Sequence, residues 1–127
     1  MAKQRKYCAL QGVINEETAP KVKAKYIVEG ANSPTTPEAD EILEDAGAIV
    51  VPDFLANAGG VIGSYFEWAQ NLQGFTWTEA EYNKRLVDLM TENFAKVWAY
   101  SNDKKVTMRR AAYISAIKRV SEIVELR

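Results

Sequence analysis

Short apolar runs alternate with helical patterns in the first half of the chain. Residues 25–28 (KYIV) and 48–51 (AIVV) are apolar and rich in β-branched side chains, and turn residues follow each run. Such runs predict buried strands. Residues 7–10 (YCAL) are a candidate for an additional, very short strand near the start. Because the connections between the runs are short and helical, the strands are predicted to pair in parallel through right-handed crossovers.

The segment between the two main runs predicts a helix of about ten residues. Thr35 or Thr36 caps this helix, Pro37 takes its first position, and Gly47 lies just past its end. Proline at the start and glycine after the end are the preferred arrangement for a helix. A shorter helix is predicted earlier in the chain, where Asn15 is followed by acidic residues that the helix dipole favours.

Helical patterns dominate the second half of the chain. The pattern over residues 60–71 carries aromatic side chains that we expect to pack in the core: Tyr65, Phe66 and Trp68. Thr78 and Glu81 form a capping box that begins the longest helix. After a polar break at 101–105, residues 107–126 form another amphipathic helix. We interpret these two long helices as scaffold, and two of their basic residues as surface charge rather than substrate clamps: Arg109 and Arg110.

Two polar turns follow the predicted strands. Residues 29–32 (EGAN) end the first, and residues 53–60 (DFLANAGG) follow the second. Because the carboxyl ends of parallel strands meet at one edge of a sheet, Asn32 and Asn57 are predicted to be neighbours at an edge where ligands bind. Each asparagine taken alone is also a common cap or turn former. The pair, beside glycines that let a ligand approach the backbone, favours a binding site.

Composition narrows the chemistry that the chain can perform. Its 127 residues are one domain's worth and too few for a complete two-domain enzyme. The chain has no histidine, so it cannot by itself build a Ser-His-Asp hydrolase site or a histidine-ligated zinc site, and no metal site is predicted. A net charge of −1 with mixed signs is not typical of binding to nucleic acid or membranes. A single cysteine and the lack of a signal-like or membrane-length apolar run favour the cytoplasm.

A series of short motifs resembles the C-terminal part of glutamate dehydrogenase. In chain order they are EGAN at 29–32, PTTPEAD at 34–40, PD at 52–53, ANAGGV at 56–61, SYFEW at 64–68, QN at 70–71 and RAAY at 110–113. The resemblance covers nearly the whole chain from Cys8 onward. Leucine and phenylalanine dehydrogenases share the Asn-Ala-Gly-Gly turn, whereas the Ser-Tyr-x-Glu-Trp segment is similar to the glutamate branch.

The resemblance implies a fold and an activity. The fold is α/β: a partial Rossmann-like parallel sheet, the second half of a dinucleotide-binding domain, followed by long C-terminal helices. Residues 1–127 would form a single domain, with 8–58 as its βαβ half and 59–127 as its helical part. The family oxidatively deaminates L-glutamate to 2-oxoglutarate and ammonia with NAD or NADP, and its subunits form homo-oligomers.

The resemblance also implies roles for individual residues. Asn32 would lie near the nicotinamide ribose, and Asn57 would contact the nicotinamide or the bound substrate. Val61 and Ser64 match positions that meet the substrate side chain, with the Ser64 hydroxyl directed to its distal carboxylate. The cofactor-binding set implied in this way is Gly30, Ala31, Asn32 and Asn57, and the substrate-binding set is Asn57, Val61 and Ser64.

Departures from the family pattern matter as much as the match. No G-x-G-x-x-G or P-loop sequence is present, and no lysine matches the family's catalytic position, so no catalytic residue is expected in this chain. Residues 1–7 replace the strand and proline usual before Cys8, which suggests truncation inside the sheet, and Ser33 stands where glycine is common. We therefore expect an inactive fragment with a partial coenzyme site. The alternatives are a stand-alone interaction or oligomerisation module, or a relative of leucine or phenylalanine dehydrogenase.

Overall fold

The computed structural model describes residues 10–126. A short 3-10 helix, Ala19–Lys21, is the first element of this part of the chain. The strands and α-helices that follow are β1 (Tyr26–Val28), α1 (Pro37–Asp45), β2 (Ile49–Val51), α2 (Asp53–Ala56), α3 (Gly59–Gln73), α4 (Glu79–Lys104) and α5 (Met108–Glu125). The strand predicted at 7–10 lies outside the described residues except for Leu10, which belongs to no strand.

The two strands form a parallel pair. Ile27 lies opposite Val50 at the centre of the register, and α1 connects the strands. A separate parallel bridge joins Ile14 to Thr35. The predicted α/β class, with a parallel sheet followed by long helices, is confirmed.

Local sequence signals determine where α1 begins and ends. Thr36 is the N-cap, and its Oγ1 accepts a hydrogen bond of 3.3 Å from the Ala39 N–H. Gly47, just past the helix, has a φ of +73°, which is the left-handed conformation that glycine adopts without steric cost. Near the start of the described chain, Asn15 Oδ1 accepts from the Thr18 N–H as a cap should, but only one 3-10 turn follows. The helix is that short because the backbone is already extended at Val22, on the way into β1.

Only one face of β1 is buried. Ile27 belongs to a core cluster formed with the 3-10 helix and α1: Ile14, Ala19, Ile27, Ala39 and Leu43. Tyr26 and Val28 are 62% and 56% exposed, so the prediction of a buried strand is wrong for these two residues. Their register partners on β2, Ile49 and Val51, are covered by the cluster that includes α5, and that cover does not extend across to β1.

The second core cluster lies where α5 meets β2 and α4. Its buried members are Leu55, Val97, Met108, Ala111 and Ala112. Small residues on the first turns of α5 allow this helix to approach the sheet closely. The later turns of α5 are different, because Val120 and Ile123 are exposed.

The aromatic residues of α3 divide between core and surface. Phe66 is buried and contacts Trp77 and Tyr82 edge-on, with ring centroids 5.2 and 5.6 Å away. Tyr65 and Trp68 are exposed, so the prediction of core packing is confirmed for Phe66 and wrong for these two. The reason is helical geometry, since residues three apart share a face and Tyr65 and Trp68 lie on the outer one.

The capping box that begins α4 is confirmed. The Thr78 Oγ1 accepts from the Glu81 N–H, and Glu81 Oε2 accepts from the Thr78 N–H at 2.9 Å. The predicted polar break at 101–105 is wrong for most of its length, because α4 continues to Lys104 and ends with Lys105 in the left-handed conformation. Polar residues are compatible with the exposed end of a helix, and Ser101 donates to the Val106 carbonyl to close it. Among residues 10–126, no helix combines the length and the apolar character needed to span a membrane.

Candidate functional site

Asn32 and Asn57 meet at the carboxyl edge of the sheet, as predicted. The Asn57 Nδ2 donates a hydrogen bond of 2.7 Å to Asn32 Oδ1 and a longer one of 3.4 Å to the Gly30 carbonyl. The Asn57 Oδ1 and the Asn32 Nδ2 make no hydrogen bond to another residue of the described chain. An acceptor and a donor are therefore available side by side, which suits a ligand that carries an amide or hydroxyl groups.

The backbone of α2 holds Asn57 in position. This one-turn helix begins at Asp53, directly after the buried Pro52 that follows β2, and the Asn57 N–H donates to the Asp53 carbonyl at 2.8 Å. Asn57 is the C-cap of α2 through its backbone, while its side chain crosses to Asn32. Asn57 can therefore cap α2 through its backbone and still present its side chain to a ligand.

Ser33, next to Asn32, is held in an unusual conformation. Its φ of +47° lies in the left-handed region, where a side chain is sterically unfavourable and glycine is not. Its N–H donates a hydrogen bond of 2.6 Å to Asp53 Oδ2. The left-handed backbone gives a physical reason for the glycine that is common at this position in the family that the sequence resembles, and the hydrogen bond to Asp53 helps to hold this backbone in place.

A cluster of charged side chains lies beside this edge. The Arg109 Nη2 is 2.7 Å from Glu29 Oε1, and its Nε is 2.5 Å from Asp40 Oδ2. Asp53 Oδ1 is farther away, at 3.7 Å from Arg109 Nη1. The Glu29 side chain is 1% exposed and that of Arg109 is 19% exposed. We call Glu29, Asp40, Asp53 and Arg109 the arginine cluster.

The arginine cluster corrects one prediction. Arg109 is not surface charge, whereas its neighbour Arg110 is exposed and lies 3.9 Å from Glu44. Burial lowers the pKa of the Arg109 guanidinium, but hydrogen bonds to Asp40 and Glu29 outweigh burial and raise that pKa above its ordinary value. Arg109 is therefore permanently charged. One signal in the sequence indicates that Arg109 has acidic partners. A cation in the first turn of a helix is disfavoured by the helix dipole unless carboxylates offset it.

Val61 and Ser64 lie on the first turns of α3. Val61 is 71% exposed, and the Ser64 hydroxyl donates to the Gly60 carbonyl of its own helix at 3.0 Å. No hydrogen bond in the described chain joins Ser64 to the asparagine pair. Gly30 and Ala31 belong to the turn that carries Asn32, and the Gly30 carbonyl accepts from Asn57.

The fold and this edge define a class of protein. An open parallel α/β unit with polar turns at the carboxyl ends of its strands is the arrangement in which nucleotide-dependent enzymes bind their ligands. The model of the Glutamate/Leucine/Phenylalanine/Valine dehydrogenase family matches residues 7–127, so the chain belongs to this family.

The proteins and solved structures that the chain is similar to include several glutamate dehydrogenases. An NAD-specific glutamate dehydrogenase from Clostridioides difficile is 47% identical over 119 residues, which are 94% of this chain and 28% of that protein. The crystal structure of glutamate dehydrogenase from Peptoniphilus asaccharolyticus matches with a TM-score of 0.89 and 42% identity over 94% of this chain and 30% of that one.

The hetero-hexameric glutamate dehydrogenase from Thermus thermophilus, in its Leu-bound form, matches with a TM-score of 0.87 and 33% identity over 92% of this chain and 28% of that one. The resemblance to glutamate dehydrogenase and the partial Rossmann-like fold are confirmed. The chain spans less than a third of the length of these relatives.

Proposed function

We propose that this chain is the nicotinamide side of the coenzyme domain in an NAD-dependent glutamate dehydrogenase. The reaction is the oxidative deamination of L-glutamate to 2-oxoglutarate and ammonia. The observation that carries the proposal is the hydrogen-bonded pair of Asn32 and Asn57 at the carboxyl edge of a parallel sheet. The identity of 47% to an NAD-specific enzyme supports NAD rather than NADP as the coenzyme.

The residues of the edge fit the polar half of a nicotinamide nucleoside. The Asn57 Oδ1 would accept from the carboxamide, and the Asn32 Nδ2 would donate to a ribose hydroxyl. Gly30 is exposed and has no side chain, which permits close approach of the coenzyme to the turn formed by Gly30 and the half-buried Ala31. When bound, NAD supplies the acceptor for the hydride that leaves the amino acid. The two asparagines orient the ring, which is the contribution that hydride transfer requires from a binding residue.

Val61 and Ser64 are proposed to meet the substrate side chain. Val61 offers an exposed apolar surface for the methylene groups of glutamate. The Ser64 hydroxyl would rotate from the Gly60 carbonyl to donate to the distal carboxylate, within the first turns of α3, where the helix dipole favours an anion.

The chain is proposed to act only with the remainder of a full-length enzyme and to assemble as a homo-oligomer. It has no histidine, and the carboxylates of the arginine cluster are engaged in ion pairs. A general base near neutral pH must therefore come from elsewhere. The similar Thermus thermophilus enzyme is hetero-hexameric, which supports assembly of several subunits.

A chimeric enzyme, which we call the graft, tests the proposed function. The matched residues of this chain replace the corresponding 28% of the Clostridioides difficile enzyme. We expect the graft to reduce NAD with glutamate, and we expect Asn57→Ala in the graft to lower kcat/KM on the order of 100-fold, since the ring is then misplaced. The 127-residue chain alone should show no glutamate-dependent reduction of NAD.

Three results would each contradict part of the proposal. A graft that folds and assembles but has no activity would remove the assignment to a glutamate dehydrogenase. Activity of the 127-residue chain comparable to that of the intact relative would remove the statement that it needs the remainder of the enzyme. An unchanged kcat/KM in Asn57→Ala would exclude that residue from the site.

An interaction module is the second candidate. It is favoured by exposed apolar side chains on α3 and α5: Tyr65, Trp68, Ile117, Val120 and Val124. Exposed apolar groups of this kind mark contact surfaces when they are contiguous. Light scattering on the purified chain checks this candidate, and a strict monomer at all concentrations would exclude it.

A further inference from the structure

The two turns that carry the asparagines are held together by a reciprocal pair of hydrogen bonds. Glu29, at the end of β1, accepts from the Asp53 N–H through Oε2 at 2.9 Å. Asp53, at the start of α2, accepts from the Ser33 N–H through Oδ2 at 2.6 Å. Each turn therefore supplies a carboxylate that binds the backbone of the other turn. We call these two contacts the carboxylate clasp.

Apolar packing anchors the second turn through Leu55, which belongs to the second core cluster, but contributes little to the first turn. Gly30, Asn32 and Ser33 are exposed, and the core cluster beside β1 contains no residue of either turn. Beyond the strand ladder, the first turn is therefore held to the second by hydrogen bonds: the two charge-assisted contacts of the clasp and the bonds that Asn57 donates to Asn32 and Gly30. Charge-assisted bonds are stronger and more directional than neutral ones, so they can hold an exposed turn in one geometry.

Arg109 is the partner that keeps the clasp in place. Glu29 is almost fully buried, with Oε2 on the Asp53 backbone and Oε1 on the Arg109 guanidinium. Removing one partner of a buried ion pair leaves an uncompensated charge. Without Arg109, the buried Glu29 carboxylate would lose its counter-charge and would have to turn toward water, which weakens its bond to the Asp53 N–H. The Asp53 carbonyl in turn accepts from the Asn57 N–H, so the effect reaches the site in two steps.

We propose that Arg109, acting through Glu29 and Asp53, is a positioning residue that holds Asn32 and Asn57 in register for the coenzyme. The inference rests on the proposed function for its catalytic consequence. Arg109 itself contacts neither asparagine. Arg109 contributes by fixing the relative positions of the Asn32 and Asn57 side chains, which lie on the turns that follow the two strands.

Arg110 provides a matched control. It is the next residue on the same helix, carries the same charge, and is exposed, with its nearest carboxylate 3.9 Å away. Arg109→Gln and Arg110→Gln therefore change the charge of the protein equally. Only the first removes a partner from Glu29.

Amide NMR of the 127-residue chain tests the geometry without any coenzyme. Arg109→Gln should shift the N–H resonances of Asp53 and Ser33 and the side-chain NH2 resonances of Asn57, because their hydrogen bonds depend on the clasp. Arg110→Gln should leave all of them in place. Identical spectra for the two variants at these resonances would overturn the proposal.

Kinetics of the active graft test the catalytic consequence. Arg109→Gln should lower kcat/KM for NAD on the order of 100-fold, with the larger part in the KM for NAD and little change in the KM for glutamate. A merely structural role would reduce the amount of active enzyme and leave both KM values unchanged. If Arg109→Gln does not fold, Arg109→Lys replaces it, since lysine keeps the charge but lacks the planar fork.

The outcomes separate the two proposals. An inactive graft with wild-type Arg109 would count against the proposed function, while the NMR comparison would still decide the role of Arg109. An active graft in which Arg109→Gln or Arg109→Lys retains both KM values and full kcat would overturn the positioning role and leave the proposed function standing.

Discussion

The carboxyl edge of the sheet and the helical second half are built by different physical means. At the edge, polar groups are matched to one another, as in the largely buried Glu29–Arg109 ion pair and the exposed Asn32–Asn57 hydrogen bond. On the helices, stability comes from apolar side chains, and only some of these are covered: Phe66 is buried while Trp68 is exposed. The geometry of the edge thus depends on directional hydrogen bonds and ion pairs, whereas the stability of the helices depends on the apolar surface area that they bury.

This difference has a consequence for how substitutions act. A directional network fails when one partner is removed, whereas an apolar face loses free energy in proportion to the surface that it buries. Removal of a bonded partner at the edge should therefore be severe even where the side chain is small. A change on an exposed helical face should be mild even where the side chain is large.

The largest effect is expected at Arg109. Arg109→Ala should lower the free energy of unfolding by about 3–5 kcal/mol, because Glu29 and Asp40 lose their common partner in a mostly buried site. Urea unfolding measures this change. Arg110→Ala, at the exposed neighbour, should change the free energy by no more than about 0.5 kcal/mol. Equal losses of unfolding free energy in the two variants would contradict the difference between the edge and the exposed faces of the helices.

Within the helices, Phe66 and Trp68 allow a buried aromatic side chain to be compared with an exposed one. Phe66→Ala should lower the free energy of unfolding by about 3–5 kcal/mol, since it leaves a cavity between Trp77 and Tyr82. Trp68→Ala removes a larger but exposed side chain and should cost about 1 kcal/mol or less. Thermal unfolding of both variants gives the comparison, and a larger loss for Trp68→Ala would show that its face is covered.

A smaller effect is expected at Ser33. Ser33→Gly should raise the free energy of unfolding by up to about 1 kcal/mol, because the left-handed backbone at this position costs a side chain more than a glycine. The N–H that donates to Asp53 is retained in the variant. Chemical unfolding measures the difference, and a clear loss of stability would mean that the serine side chain has a contact of its own.

The smallest effect is expected at the capping box of α4. The hydrogen bond from Thr78 lowers the pKa of the exposed Glu81 carboxyl below its ordinary value. The stabilisation from this group is therefore present above the unfolded pKa and is lost as the pH falls through the lower, folded pKa. Thr78→Ala should move the pKa of Glu81 up toward its ordinary value. NMR titration of the Glu81 side chain measures the shift, and an unchanged pKa would contradict the assignment of its cause.

Local signals made much of the fold predictable. The cap at Thr36 and the glycine at Gly47 bound α1, and the capping box at Thr78 begins α4. These signals act over a few residues, so a single sequence is sufficient to recognise them. The meeting of Asn32 with Asn57 was also predictable, because it follows from a general rule about parallel sheets.

Features that depend on distant neighbours were not predictable in the same way. Arg109 lies 80 residues from Glu29 and 69 from Asp40, and neither spacing leaves a local pattern. The exposure of Tyr26 and Val28 depends on whether a helix covers that face of β1, which the composition of the strand does not determine. The family resemblance identifies Ser33 as a departure from a common glycine. Its left-handed backbone, however, is a feature of the folded structure that the sequence does not predict.

The distance along the chain between Glu29 and Arg109 has a consequence for the order of assembly. Both strands and both asparagines precede α5 in the sequence, and the ion pair closes a loop of 80 residues. The Glu29–Arg109 ion pair therefore cannot form during synthesis until α5 has been made and has docked on β2. A product that ends before residue 109 would carry both asparagines without the Arg109 guanidinium that pairs with Glu29. The two asparagines and the arginine that the edge requires thus come from parts of the chain that are made at different times.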